Sequence, residues 1–387
     1  MDDRPTTVLF IWDVDPRLRE RLTAELVGSR SVRLVFPSDL SPQRLVALAP
    51  EADVIVGWRP TDQVLEAAAR LKLLINPGAG VQHVADRVRR IGGDRGVRLA
   101  NGHGNANFTA QHAVALLLAL TNRVVQHHNW MVEGRWRTGD ADAASVPLRG
   151  RTVGLLGYGA VNRNVHRMLA GFDVRFAIMR RSWPQQSGPS QSVVGTATAA
   201  ATPAATDVDG RPGYRPRRFK AATRYLGLPP SPPLRDTDLR FAAGELDELL
   251  AAADVLVAAV PLTPETDGLI GRAELDALGA DGLLVQMSRG RVVDEHALFA
   301  ALRDGVIAGA AIDVWYDYKP EPDADGRRYP YSPDCPFHTL PNVVLSPHRG
   351  ASPFSDLQRW DEVVENIKRV AAGRDDLLNL VDLELGY

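Results

Sequence analysis

The 387-residue chain reads as an α/β protein of two domains, each built on a parallel sheet. Three observations predict this. Short apolar runs alternate with helical patterns along most of the chain, which is the order that strands joined by crossover helices require. One such run, Thr152-Val-Gly-Leu-Leu156, enters a glycine-bearing turn that opens directly into a helical pattern. The length exceeds one ordinary α/β domain and fits two, each large enough to bury its own core.

Taken in order, the strand-like runs are 8–12, 54–57, 73–76, 153–156, 174–179, 255–260, 283–286 and 343–346. Ala52-Asp-Val-Ile-Val56 is echoed by Ala253-Asp-Val-Leu-Val257, which suggests similar strand-helix units in the two domains. Residues 107–135 read as one long helix, apolar through 113–120 and able to bridge the domains. Residues 183–240 hold nine of the 27 prolines and an Ala/Thr/Ser/Gly/Pro-rich tract, so they are read as an insertion or linker outside the core. Its Arg215, Arg217, Arg218 and Lys220 suit either a flap over a ligand or a solvated surface loop.

Composition narrows the function. Forty-five Lys and Arg against 47 Asp and Glu give a net charge of −2, which offers no bulk attraction for nucleic acid or an anionic membrane. The longest purely apolar run, 113–120, falls far short of a membrane span. A single cysteine, Cys335, excludes an internal disulfide and points to a reducing, cytoplasmic setting, with Cys335 itself a bystander. His127 and His128 are adjacent on a helical pattern and do not share a face, so no metal site is expected there.

The turn Gly157-Tyr-Gly159-Ala-Val161-Asn162 carries the chemistry. Gly157 permits the tight turn, and Gly159 lets the backbone approach a pyrophosphate at the helix N-terminus, so a dinucleotide cofactor is expected. Asn162 stands where a third glycine would allow close helix packing; it implies either a wider crossing or a side chain turned toward the ligand. The next strand ends at Arg180-Arg181-Ser182, about twenty residues on, where an acidic residue would hold the ribose of NAD. Arginine suits a ribose 2′-phosphate, so NADP(H) is the preferred cofactor and NAD(H) a tolerated one.

Four ordered segments resemble one family: the glycine turn, Val260-Pro261-Leu-Thr263-Pro-Glu-Thr266, Val285-Gln-Met-Ser288-Arg289-Gly-Arg-Val-Val-Asp294, and Asn342-Val-Val-Leu-Ser-Pro347-His348. Together they are similar to the D-isomer-specific 2-hydroxyacid dehydrogenases, which include the phosphoglycerate, formate and phosphite dehydrogenases. The resemblance implies two Rossmann-like or flavodoxin-like parallel-sheet domains, the cofactor domain (105–350) inserted in a discontinuous substrate domain (1–104 and 351–387), and a homodimer. Arg289 then matches the substrate-binding arginine and His348 the proton donor, roles that fit a planar cationic fork and a group titrating near neutrality. By the same resemblance Gly80 and Val81 offer amides to a substrate carboxylate, Asn105 assists them, and Asp313 holds the nicotinamide carboxamide. Pro261, Thr263 and Ser288 are expected along the cofactor with Val161. Asp294 reads as a helix N-cap.

Two departures are notable. Tyr318 stands where relatives carry the glutamate that supports the histidine; a phenol can orient His348 but cannot stabilise its cation, and Asp317 or Glu321 could substitute after a loop shift. Arg349 follows His348 directly; pointing into the cleft it would suit a dianionic acid, pointing out it is a surface charge. The expected activity is hydride transfer between NADP(H) and a small 2-hydroxy or 2-oxo acid. Formate- or phosphite-like oxyanion oxidation and a cofactor-sensing, corepressor-like role remain as alternatives.

Overall fold

Five parallel strands near the N-terminus form the first sheet. The computed structural model describes residues 4–26, 31–137, 144–183, 232–351 and 357–387. In chain order the first elements are β1 (Thr6–Phe10), α1 (Pro16–Leu26), β2 (Val32–Val35), α2 (Pro42–Leu48), β3 (Val54–Val56), α3 (Asp62–Ala67), β4 (Leu73–Asn76), α4 (Ala85–Gly92) and β5 (Arg98–Asn101). Their order in the sheet is β2-β1-β3-β4-β5, the flavodoxin-like arrangement. The central strands β3 and β4 are buried throughout, as expected where helices cover both faces.

The chain then runs through α5 (Ala106–Thr121), α6 (Val124–Val132), β6 (Thr152–Leu156), α7 (Ala160–Leu169), β7 (Arg175–Arg180), β8 (Leu239–Ala242), α8 (Leu246–Ala252), β9 (Val255–Ala258), α9 (Arg272–Leu278), β10 (Leu283–Gln286), α10 (Glu295–Arg303), β11 (Gly309–Ile312), β12 (Val343–Leu345) and α11 (Asp361–Ala371). Strands β6 to β12 form a seven-stranded parallel sheet ordered β12-β11-β10-β9-β6-β7-β8. Counted within that sheet this is the Rossmann order, with its switch point between β6 and β9. Helix α5 covers one face, its Ala110, Ala113, Leu116 and Leu117 packing with Val153, Leu155 and Val285. Helix α11 returns to the first sheet: Val363, Val364, Ile367 and Val370 lie on one face and pack with Val8 and Phe10. The cofactor sheet is thus inserted into the fold of the first one.

Two expectations are corrected. Residues 107–135 are not one helix: Arg123 adopts a left-handed conformation (φ 52°) and α5 and α6 meet at a 63° bend. No single helix among the described residues is long and apolar enough to cross a membrane. The stretch 183–240 is not wholly outside the core either. Trp183 packs on it and donates from Nε1 to the Phe241 carbonyl (3.0 Å), and buried Asp238 accepts the N–H of Phe176. Leu239 and Arg240 then open β8, which pairs with β7. Arg215, Arg217, Arg218 and Lys220 lie outside the described residues.

Candidate active site

In a parallel sheet every strand delivers its following loop to the same edge, and here the loop after β4 of the first sheet meets Arg289, which follows β10 of the second. At the end of β6, Gly157 has a φ of 84°, and a side chain there would collide with Val260. Gly159 caps α7, and among the described residues no atom stands within 4 Å of the point where a side chain would begin. Open space before the unbonded amides of a ten-residue helix suits a pyrophosphate, so the residues present fit a dinucleotide. Val161 lies in the first turn of α7 and packs beneath it. Pro261 and Thr263 follow β9 at the same edge, in a loop closed by Thr266 Oγ1, which donates to the Pro261 carbonyl and accepts the Thr263 N–H.

Two side chains expected at the cofactor face inward instead. Asn162 is fully buried, and its Nδ2 reaches the carbonyls of Leu156 (3.1 Å), Gly157 (2.8 Å) and Val257 (3.1 Å). It ties β6, the turn and β9 together at the switch point, a role neither of the sequence alternatives named. Ser288 Oγ is buried and donates to Gln286 Oε1 at 2.7 Å, because the backbone after β10 turns its side chain toward the sheet.

Arg180 ends β7 and Arg181 and Ser182 follow it. Trp183 receives Arg180 over its ring at 5.5 Å and Arg240 at the same distance. Arg181 donates to Tyr387 Oη at 2.6 Å. Among the described residues neither Arg180 nor Arg181 has a carboxylate within 4 Å, though Arg181 and the Glu265 carboxylate act on one another electrostatically. Sequence reading missed Trp183, Arg240 and Tyr387, which only the tertiary fold brings to this corner.

On the opposing edge, Asn76 and Asn101 end β4 and β5 and hold the loop between them. Asn76 Nδ2 donates to the Gly78 and Gly80 carbonyls and Asn101 Nδ2 to that of Ala79 (2.9 Å). Val81 is fully buried and its carbonyl accepts the N–H groups of Val84 and Ala85. Gly80 lies directly against Arg289 across the cleft: a Cβ there would stand 2.1 Å from Nη2. Arg289 Nη1 donates to the Ser288 carbonyl at 2.7 Å, and burial lowers its pKa from the ordinary guanidinium value. No Asp or Glu oxygen among the described residues lies within 4 Å of it. A largely buried guanidinium without a counter-ion calls for an anionic ligand. Asn105 sits just before α5 with no side-chain bond to the helix amides.

His348 follows β12 in a left-handed conformation (φ 55°), uncommon for a residue with a side chain. The cause lies beneath it. Asp313, at the end of β11 and almost fully buried, accepts the N–H groups of Arg349 (2.7 Å) and Gly350 (2.8 Å) and the hydroxyl of Ser346. Its carboxylate thus pulls residues 346–350 into a tight concave turn that presents the imidazole to the cleft. Desolvation lowers the His348 pKa, the Asp313 charge opposes this, and the Arg289 charge adds to the lowering.

Tyr318 stacks obliquely beside His348, with ring centroids 5.3 Å apart at 60°. Its hydroxyl, however, accepts the Trp315 N–H at 3.4 Å rather than meeting an imidazole nitrogen, so the ring supports His348 by contact alone. Asp317 accepts the Lys319 N–H, and the carboxylate acting on His348 is Asp313. Arg349 is exposed and joins the site through its main chain. Asp294 caps α10, accepting the Ala297 N–H at 2.7 Å. Burial pushes the Cys335 thiol up to about 11, which leaves it unreactive.

A dinucleotide turn at a switch point shares its sheet edge with a histidine and with an arginine that has no carboxylate partner among the described residues, and the Gly80 loop of the other parallel-sheet lobe closes on that arginine; this defines a two-domain, dinucleotide-dependent enzyme class. The chain belongs to the D-isomer specific 2-hydroxyacid dehydrogenases, whose NAD binding domain matches residues 114–208 and 217–350. It is 29% identical over 328 residues to a glyoxylate reductase of Korarchaeum cryptofilum, covering 84% of this chain and 80% of that protein. A D-3-phosphoglycerate dehydrogenase of Archaeoglobus fulgidus is 28% identical over 317 residues; this chain's 81% matches only 48% of that longer protein. Among solved structures, an NADPH-dependent glyoxylate/hydroxypyruvate reductase from Sinorhizobium meliloti, in complex with NADP and malonate, superposes with a TM-score of 0.63 at 25% identity, covering 99% of this chain and 98% of that one. These relatives lend no support to the oxyanion-oxidising or cofactor-sensing alternatives.

Proposed function

We propose that the protein is an NADPH-preferring reductase of a small 2-oxo acid, tolerant of NADH and able to run in reverse as a 2-hydroxyacid dehydrogenase. The observation that carries this is Arg289, a cation without a carboxylate partner among the described residues, set between the Gly80 loop and His348. Arg289 holds the substrate carboxylate and polarises its oxo group, with the Gly80 and Val81 amides and Asn105 completing the grip. A bound nicotinamide supplies the hydride to the carbonyl carbon. His348 gives its proton to the oxo oxygen as the hydroxyl forms, and Tyr318 packs against the ring to hold its orientation.

Arg180 and Arg181 favour NADP(H) over NAD(H), with Ser182 beside the ribose and Trp183 a platform near the adenosine. Residues 1–104 and 351–387 make the substrate domain and 105–350 the cofactor domain. Exposed Val124, Val125, Met131 and Val132 on α6 are an apolar face suited to a homodimer contact. Arg349, exposed beside the site, is the cation offered to the second acidic group of a dianionic substrate, and the setting is cytoplasmic.

The test is steady-state oxidation of NADPH and NADH with glyoxylate, hydroxypyruvate, phenylpyruvate and oxaloacetate, with formate and phosphite run in reverse. Turnover of a 2-oxo acid with NADPH supports the reading. Turnover of formate or phosphite alone would overturn it.

A further inference from the structure

Helix α5 carries His112 to the underside of the turn that presents His348. His112 Nε2 lies 2.8 Å from Ser346 Oγ, and that hydroxyl donates to Asp313 Oδ1. With the Ser346 hydroxyl donating to the carboxylate, the imidazole Nε2–H is the donor in the first contact. Asp313 in turn receives the Arg349 and Gly350 amides. His112 Nε2 also lies 3.4 Å from Asp313 Oδ1, so α5 reaches the turn both through Ser346 and directly at the carboxylate. One helical turn before His112, Thr109 touches the other end of the same turn, with Cγ2 3.4 Å from where a Gly350 side chain would begin. A left-handed non-glycine residue is strained and persists only where its surroundings over-determine it. Here α5 and Asp313 do so together.

We infer that His112 is a positioning residue for the proton donor, acting through Ser346 and Asp313 to keep the 346–350 turn, and so the His348 imidazole, in its reactive orientation. The inference rests on the reading of His348 as proton donor. It makes α5, the helix that leads from the first sheet into the second, the mechanical support of that donor. The contact joins distant parts of the chain: His112 and Ser346 are 234 positions apart.

Four variants test it: H112A, H112Q, S346A and the H112A/S346A pair, each assayed for NADPH oxidation with the preferred 2-oxo acid and for NADPH binding by fluorescence. Losing one hydrogen bond in a chain that ends on a carboxylate should lower kcat about tenfold, with NADPH affinity unchanged. Gln at 112 can donate from the position of Nε2, so H112Q should recover most of the kcat that H112A loses. Because His112 and Ser346 converge on the same Asp313 oxygen, their losses should not multiply, and the double variant should be slowed by less than the product of the two single losses. Wild-type kcat in H112A, no advantage of Gln over Ala, or losses that multiply would each overturn the inference. The His348 ring resonances in NMR provide a readout independent of turnover: they should move in H112A and return in H112Q. If wild type reduces no 2-oxo acid, the functional reading falls; if the His348 resonances stay unmoved in H112A, the positioning role falls.

Discussion

Replacing Gly80 by alanine adds one methyl group at the point where the two lobes meet. A Cβ on Gly80 would lie 2.1 Å from Arg289 Nη2 and 3.1 Å from Cζ. Gly80 is not among the glycines of positive φ, so alanine is accommodated by the backbone itself. The collision is with the far end of a flexible side chain, and the guanidinium gives way before the fold does. To reach ordinary contact it must retreat by more than ~1 Å, a displacement of reacting groups that can cost about 100-fold in rate. Gly80→Ala should therefore lower kcat/KM for a 2-oxo acid by roughly two orders of magnitude, while NADPH affinity and the melting temperature stay near wild type. Stopped-assay kinetics, cofactor fluorescence titration and a thermal melt measure the three quantities on one preparation. A kcat/KM close to wild type in a folded, NADPH-binding variant would refute the placement of Arg289 at the substrate.

Three further outcomes follow from the same geometry. Arg180→Ala should weaken NADPH more than NADH, by about tenfold for the loss of one charge-assisted contact; equal weakening of both cofactors in a fluorescence titration would place the ribose reader elsewhere. In the proposed mechanism reduction draws on protonated His348, so its rate should be full at low pH and lost as pH rises through an inflection below the ordinary histidine value of about 6.5. Asp313→Asn removes the charge that opposes this lowering and should move the inflection further down in a kcat/KM profile; an upward move would contradict the assignment. His166, buried with Nδ1 2.6 Å from Tyr158 Oη, has its pKa lowered to about 4, chiefly by burial. The unfolded chain therefore takes up this proton at higher pH than the folded one, and stability should fall as pH drops from about 6.5 toward that value. Urea midpoints should show a shallower acid loss in His166→Gln; an identical pH slope would show that another group governs it.

The parts of this fold that were legible in the sequence were local ones. The run before Gly157 is apolar and β-rich, and the glycine turn and helix follow within a few residues, so their placement needed no distant partner. β11 was missed because Gly309-Ala-Ala-Ile312 has little side chain to mark it; its strand character comes from pairing with β10 and β12. β8 was hidden in a proline-rich neighbourhood and is defined by its pairing with β7. The break between α5 and α6 carries no glycine or proline: Arg123 takes the left-handed conformation that a sequence pattern assigns elsewhere.

At the site, Arg289 and His348 could be named from short motifs, whereas their supports could not. The Asn162 amide spans β6 and β9, the Ser288 hydroxyl turns to Gln286, and Asp313 gathers amides and a hydroxyl from a turn more than thirty residues away. Each depends on which strand ends the sheet order places side by side, and no spacing along the chain encodes that.

The central claim is that Arg289 serves the substrate and not the cofactor. Titrating NADPH into wild type and Arg289→Ala, then measuring kcat/KM for a 2-oxo acid on the same samples, tests it directly. The expected result is unchanged NADPH affinity with turnover lowered by at least about two orders of magnitude, as befits loss of a bidentate contact to the reacting group. Unchanged turnover, or loss of NADPH binding in step with activity, would contradict it.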